Sequence, residues 1–160
     1  MTGPAPGEIV PGFELKAIDN QILRFDEKRA GEPILFFFFT REVSNCRAAF
    51  PAMERLARRL KDHPGRVWAL TRDGHGDSLE TADQFQLSFP ILLDRSGRVS
   101  EAYGADPLPA FRYVGPDLKL REAVDGWDRD RVRAMGRELV ASLGLGSGQL
   151  FTEDDWLPGR

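Results

Sequence analysis

The sequence holds a single cysteine, Cys46, among its 160 residues. One thiol excludes an internal disulfide, and with it the class of small secreted domains stapled by several. A reducing, cytoplasmic setting is the expectation. Histidine is scarce as well: His63 and His75 are the only two, with no paired spacing and no second cysteine. No metal site is therefore expected, and His75, set between Gly74 and Gly76, reads as a loop residue. Positive charge is not in excess, since 22 Lys and Arg face 25 Asp and Glu, a net charge of −3. Nucleic acid is excluded as a partner class, because it needs a basic stripe to neutralise phosphates. The nearest thing to one, Arg55, Arg58, Arg59 and Lys61, is interrupted by Glu54 and Asp62 and reads as a solvated helix face. Long apolar runs are missing too. The longest, residues 33–39, is far too short to span a bilayer, and residues 1–7 lack the charged and apolar regions of a signal peptide. A soluble protein with no membrane partner is expected, and no internal repeat occurs.

What is present suits one globular domain. Apolar residues make up 41% and charged residues 29%. A chain of this length buries roughly 70% of its unfolded surface, enough for a core without staples. Residues 1–12, rich in Pro and Gly, read as a loosely held lead-in, residues 13–144 as the domain, and residues 145–160 as a tail carrying Phe151 and Trp156 among acids.

Within the domain, Phe13 and Leu15 face Ile22, Leu23 and Phe25 across an Asp19–Asn20 turn, which predicts a hairpin. The unbroken run Ile34–Phe39 predicts a strand buried on both faces of a sheet. Phe50, Met53, Leu56, Ala57 and Leu60 then recur at helical spacing, with Ser44 as N-cap, Pro51 as a kink and residues 63–65 as the stop. A second strand is expected at 67–70, with Trp68 in the core, and a polar loop at 71–77. A helix at 78–86 would start from a capping box of Asp77 and Glu80. A third strand follows at 91–93 and a turn at Ser96–Gly97. Strands at 111–114 and 118–120 form a hairpin around residues 115–117, and a last helix over 128–143 is capped by Gly144. The glycine-rich stretch 144–148 follows a helix rather than preceding one. It reads as cap and linker, not as a phosphate loop. The element order predicts an α/β domain, a mixed sheet with helices on both faces.

Three segments together resemble a known family. Residues 89–104 (Phe-Pro-Ile-Leu-Leu-Asp-Arg-Ser-Gly-Arg-Val-Ser-Glu-Ala-Tyr-Gly) are similar, without a gap, to a stretch common in the alkyl hydroperoxide reductase/thiol-specific antioxidant group. Leu108-Pro109-Ala110, ahead of a strand and a Gly-Pro-Asp hairpin, resembles the cis-proline segment of thioredoxin-like proteins. Residues 36–51 resemble the active-site strand, loop and kinked helix. The resemblance runs from Pro11 to about Leu143. It implies a thioredoxin-like fold with an extra N-terminal hairpin, and thiol-dependent oxidoreductase or peroxidase chemistry without a cofactor.

The chemistry is where the likeness breaks. The redoxin motif Trp-Cys-x-x-Cys-Arg-x-x-x-Pro matches from its second cysteine onward, at Cys46, Arg47 and Pro51, and places Val43 at the first cysteine and Glu42 at the tryptophan. The peroxiredoxin motif Pro-x-x-x-Thr-x-x-Cys matches at Thr40 only, with Phe36 for the proline and again Val43 for the cysteine. The peroxide-polarising arginine of that family would fall at Pro109. A cysteine at a helix N-terminus is nucleophilic because unpaired amides and the helix dipole stabilise its thiolate, and valine can do neither job.

Cys46, about one turn further along, is then the sole candidate catalytic group, with two readings. It is either a monothiol that attacks peroxide or a disulfide and is reset by an external thiol reductant, or inert core filler. Thr40, Val43, Ser44, Leu108 and Pro109 are the candidate substrate-binding residues, Thr40 and Ser44 having helix capping as their plainer role. The second functional reading is a redox-inactive binding domain that holds a protein partner in this groove. A third idea has the tail around Trp156 making a homodimer. Asp73 is assigned no role.

Overall fold

The computed structural model describes residues 3–144. The tail, with the expected dimerisation through Trp156, lies outside the described residues. A hairpin of β1 (Phe13–Lys16) and β2 (Ile22–Phe25) comes first, followed by β3 (Ile34–Phe39), α1 (Ser44–Arg59), β4 (Val67–Thr71) and α2 (His75–Phe85). Then come β5 (Ile91–Leu93), α3 (Arg98–Ala102), β6 (Ala110–Val114), β7 (Leu120–Asp125) and α4 (Arg129–Ser142). The five-stranded sheet has the order β5-β4-β3-β6-β7. The first three strands are parallel, and β6 and β7 are antiparallel to their neighbours. This is the thioredoxin-like α/β fold, with the hairpin as an addition.

Four consecutive phenylalanines explain why β3 sits at the centre. Side chains of a strand alternate between faces, so Phe37 and Phe39 enter one core and Phe36 and Phe38 the other. Phe37 stacks on Phe111 of β6, with ring centroids 5.3 Å apart and planes at 11°. On the opposite face Phe36 meets Phe25 of the hairpin edge-on at 5.0 Å. Each such ring contributes about 1.5–3 kcal/mol by leaving water. The first core is roofed by α1, α4 and the Phe85 end of α2, the second by α3 and the hairpin. Both faces of the sheet are thereby covered, as an all-apolar strand requires.

Several boundaries differ from the expectations. The N-cap of α1 is Val43, extended at φ −102° and ψ 116°, and Ser44 is already helical, so no side chain caps this helix. Pro51 lies inside the helix, where the sequence places it. No capping box of Asp77 and Glu80 starts α2. The helix begins three residues earlier, because the Gly74 carbonyl accepts the Ser78 amide and both carboxylates turn to Arg41. His75 is therefore the first helical residue rather than a loop residue, its Nε2 2.8 Å from the Ile18 carbonyl.

The sequence pattern gives only a turn at Ser96–Gly97, and the structure adds the short helix α3 after it. Buried Asp94 folds it by accepting the Val99 amide and both the amide and hydroxyl of Ser100. β7 starts at Leu120 and runs five residues past the expected end, since Leu118 adopts φ 67° in the turn. Nor is the N-terminal segment a loose lead-in. Gly7 and Val10 donate to Leu120 and Leu118, and Glu8 accepts the Leu120 amide, so residues 7–10 line the β6–β7 hairpin.

Candidate functional site

Parallel pairing of β3 with β4 places Phe39 opposite Thr71, so the segments that leave these strands start side by side. The Thr40 hydroxyl donates to Asp73 Oδ1 at 2.7 Å, and the Arg41 amide donates to Asp73 Oδ2 at 2.8 Å. Thr40 Oγ1 also accepts the Glu42 amide at 3.3 Å. The Arg41 guanidinium reaches Asp77 at 3.0 Å and Glu80 at 3.1 Å; the Glu80 hydrogen bond and the Asp77 charge raise its pKa. Asp73 is thus the clamp on the loop before α1. No motif flagged it, and its only sequence signal is its place just past the end of β4.

Val43, half-buried, packs against the core below α1 and accepts the Cys46 amide at 3.0 Å. Cys46 occupies the first turn of α1 and faces that core, at 0% exposure. Burial pushes its thiol up to about 11. A hydrogen bond with the Thr40 backbone acts in the opposite sense, and the nearby Asp73 charge adds to the rise. At neutral pH only about 1 thiol in 10,000 would be ionised. Helix-terminal amides favour a thiolate, but here loss of water outweighs them.

The facing wall is the segment before β6. Both Asp106–Pro107 and Leu108–Pro109 are cis peptides, and the Gly126 amide donates to the Pro109 carbonyl at 2.7 Å. Pro109 is buried and Leu108 half-buried between the two cores. Between Thr40 and Leu108 opens a cleft of about 730 Å³, which Asp73, Glu42, Arg72 and Asp106 also line. Arg72 lies across Gly97, whose φ of +77° and lack of a Cβ permit the contact: an added Cβ would fall 2.6 Å from the guanidinium carbon. Of the residues singled out from sequence, Thr40 and Leu108 meet in this cleft. Val43, Ser44, Cys46 and Pro109 do not line it.

Buried Arg112 on β6 steadies the same region. It donates to the carbonyls of Tyr103, Gly104 and Phe111 and pairs with Asp125 at 2.9 Å, tying α3 to the sheet. Among the described residues, no group of three or more His, Cys, Asp or Glu is placed to hold a metal ion. Among them, too, no helix is long and apolar enough to cross a membrane.

Comparison with known proteins gives consistent findings. A family model described as the AhpC/TSA family matches residues 6–123. The thiol-disulfide oxidoreductase ResA of Oceanobacillus iheyensis is 25% identical over 124 residues, 75% of this chain and 65% of that protein. The chain therefore spans about two thirds of the length of that relative. Among solved structures, a Chlorobium tepidum protein described as thiol:disulfide interchange protein DsbE superposes with a TM-score of 0.78 at 21% identity. It covers 89% of this chain and 100% of its own. The peroxidoxin BcpB of Mycobacterium tuberculosis gives 0.67 at 18% identity, covering 88% and 97%. At such identities the two structures share the fold alone, so the choice between disulfide exchange, peroxide reduction and neither rests on this chain's own residues.

Proposed function

Since the chain belongs to the AhpC/TSA family of thioredoxin-like redoxins, we propose that it is a binding member of that family, keeping the groove of a thiol-disulfide oxidoreductase without the dithiol cycle. The observation that carries the reading is the state of the one thiol. Cys46 is sealed in the core and held protonated, whereas the cleft beside it, from Thr40 to Leu108, is open and polar. A dithiol cycle forms a disulfide between an attacking and a resolving sulfur. With Val43 at the first position the second sulfur has nothing to resolve. The groove keeps its shape for reasons independent of that chemistry: Asp73 holds one wall, and the Gly126–Pro109 hydrogen bond holds the other. An extended polypeptide is the ligand that suits a cleft walled on one side by the loops at residues 40–42 and 72–73 and on the other by α3 and residues 104–108.

A second reading, monothiol exchange at Cys46, draws support from the Thr40 backbone hydrogen bond that favours its thiolate. One experiment separates the two. The protein and its Cys46→Ser variant are assayed for insulin-disulfide reduction and hydrogen peroxide consumption with a thiol reductant. Amide chemical shifts are followed in parallel during titration with a reduced, carboxymethylated polypeptide. The binding reading expects no turnover from either protein and shifts confined to residues 38–42, 72–73 and 97–108 in both. Turnover that is lost in Cys46→Ser would replace it with the monothiol reading.

A further inference from the structure

At the opposite end of the sheet from the cleft is a second depression, of about 560 Å³, between the C-terminal end of α1 and the turn before β5. Its floor is apolar, formed by Leu60, Val67, Phe89 and Pro90. Its rim is basic: Arg58, Lys61 and Arg66 line it, and no acidic residue does. Two of these cations are partly answered from outside the groove. Arg58 pairs with Glu54 at 2.9 Å, and Arg66 shares Glu32 with Arg29 at 3.3 and 3.5 Å. Two arginines on one carboxylate leave a surplus of positive charge, to which exposed Lys61 adds. The Arg66 Nε is buried without a hydrogen-bond acceptor, which costs stability.

The sequence contains a segment of complementary chemistry. Residues 150–157 read Leu-Phe-Thr-Glu-Asp-Asp-Trp-Leu: three carboxylates flanked by large apolar side chains, with no cation among them. The topology delivers this segment to the correct end of the molecule. β7 ends at Asp125, paired with Ala110, which in turn pairs with Phe38 near the end of β3. α4 therefore starts at the cleft end of the sheet and runs back, as α1 does. Leu139 and Val140 of α4 share a core with Leu56 and Leu60 of α1, and Leu143 packs against it. α4 packs on β6 and β7 and the groove lies by β4 and β5; three strand spacings are about 14 Å, and the seven residues from Gly144 to Phe151 can span up to about 24 Å. Reach is not limiting.

We propose that residues 150–157 of the same chain dock in this groove, the apolar side chains on the floor and the carboxylates against Lys61 and Arg66. A short tether supplies an effective concentration in the millimolar range, so weak contacts suffice for occupancy in cis.

Amide hydrogen exchange of the full chain, and of a chain ending at Gly148, tests this at two protein concentrations. The proposal expects residues 57–67 and 88–90 to exchange about tenfold faster in the shortened chain, with β3 unchanged. Lys61→Glu in the full chain should reproduce the loss, and the double variant Lys61→Glu with Asp154→Lys should reverse it. Free peptide 149–160 at millimolar concentration should restore protection to the shortened chain. Equal exchange in the two chains overturns the proposal. So does protection of the full chain that grows with concentration, which would assign the groove to the tail of a second copy.

Discussion

Restoring the missing thiol is the perturbation with the largest calculable effect. Val43 caps α1, half-buried, three residues ahead of Cys46 and hydrogen-bonded to its amide. A thiol introduced by Val43→Cys would sit at the helix N-terminus, where pKa values fall to about 3.5–7.5. Taking about 7 against about 11 for Cys46, the ionised fraction at pH 7 rises about 5,000-fold. Nucleophilicity per thiolate drops as basicity drops, with a Brønsted coefficient of about 0.4–0.5, which gives back about 60-fold over four units. The net gain is about 100-fold in the rate of attack on a small disulfide, before the better access of position 43 is counted. Residues one helical turn apart also lie at a separation a disulfide can bridge, about 5–6 Å between Cα atoms. The variant should therefore react with 5,5′-dithiobis-(2-nitrobenzoate) at least about 100 times faster than the parent at pH 7. It should then close to an intrachain disulfide detectable as a loss of two mass units. A variant that folds, reacts no faster and stays reduced would refute the claim that valine at position 43 is what silences the site.

Four further outcomes follow from the same structure. Cys46 has its folded pKa raised from 9.0 to about 11, so the unfolded chain loses that proton first. Its contribution is whole below pH 9 and lost as pH rises through 11, about 2–3 kcal/mol at most. Urea unfolding of the parent minus that of Cys46→Ala isolates this slope from Tyr103, whose pKa burial also raises. Asp73→Ala frees Thr40 and the Arg41 amide, so exchange at residues 41–43 should accelerate, with about 1–2 kcal/mol lost in urea melts. Arg112→Met strands three carbonyls and Asp125, and thermal unfolding should show a loss of about 3 kcal/mol. Gly97→Ala meets both a left-handed φ and the Arg72 guanidinium, for about 1–2 kcal/mol by the same assay.

The parts of the fold legible in the sequence are those where burial writes an unambiguous pattern. The unbroken apolar run Ile34–Phe39 reads as a strand buried on both faces, and the spacing of Phe50, Met53 and Leu56 reads as one apolar face of a helix. Boundaries set by backbone or by distant partners were illegible. Asp77 and Glu80 have the spacing of a capping box, but Arg41, nearly forty residues away, takes both carboxylates. The helix α3 is only five residues long, too short to show a period, and it depends on one buried aspartate. Of the residues that the motif comparison singles out, Thr40 and Leu108 line the cleft, whereas Val43, Ser44, Cys46 and Pro109 do not. The motif does not tell that Cys46 points into the core, because the same spacing serves exposed and buried thiols alike. Asp73 escaped for a similar reason, since its role exists only once β3 and β4 lie side by side.

Burial withholds the one thiol of this chain from chemistry, and the rate of Cys46 alkylation against pH reads this out. Iodoacetamide labelling would be followed in native and in urea-unfolded protein from pH 6 to pH 11. Native labelling should be at least about 100-fold slower than unfolded labelling at pH 8, with an apparent pKa well above the ~8.5 of a free thiol. Fast native labelling with an apparent pKa below that value would contradict it, and would return Cys46 to the role of an active nucleophile.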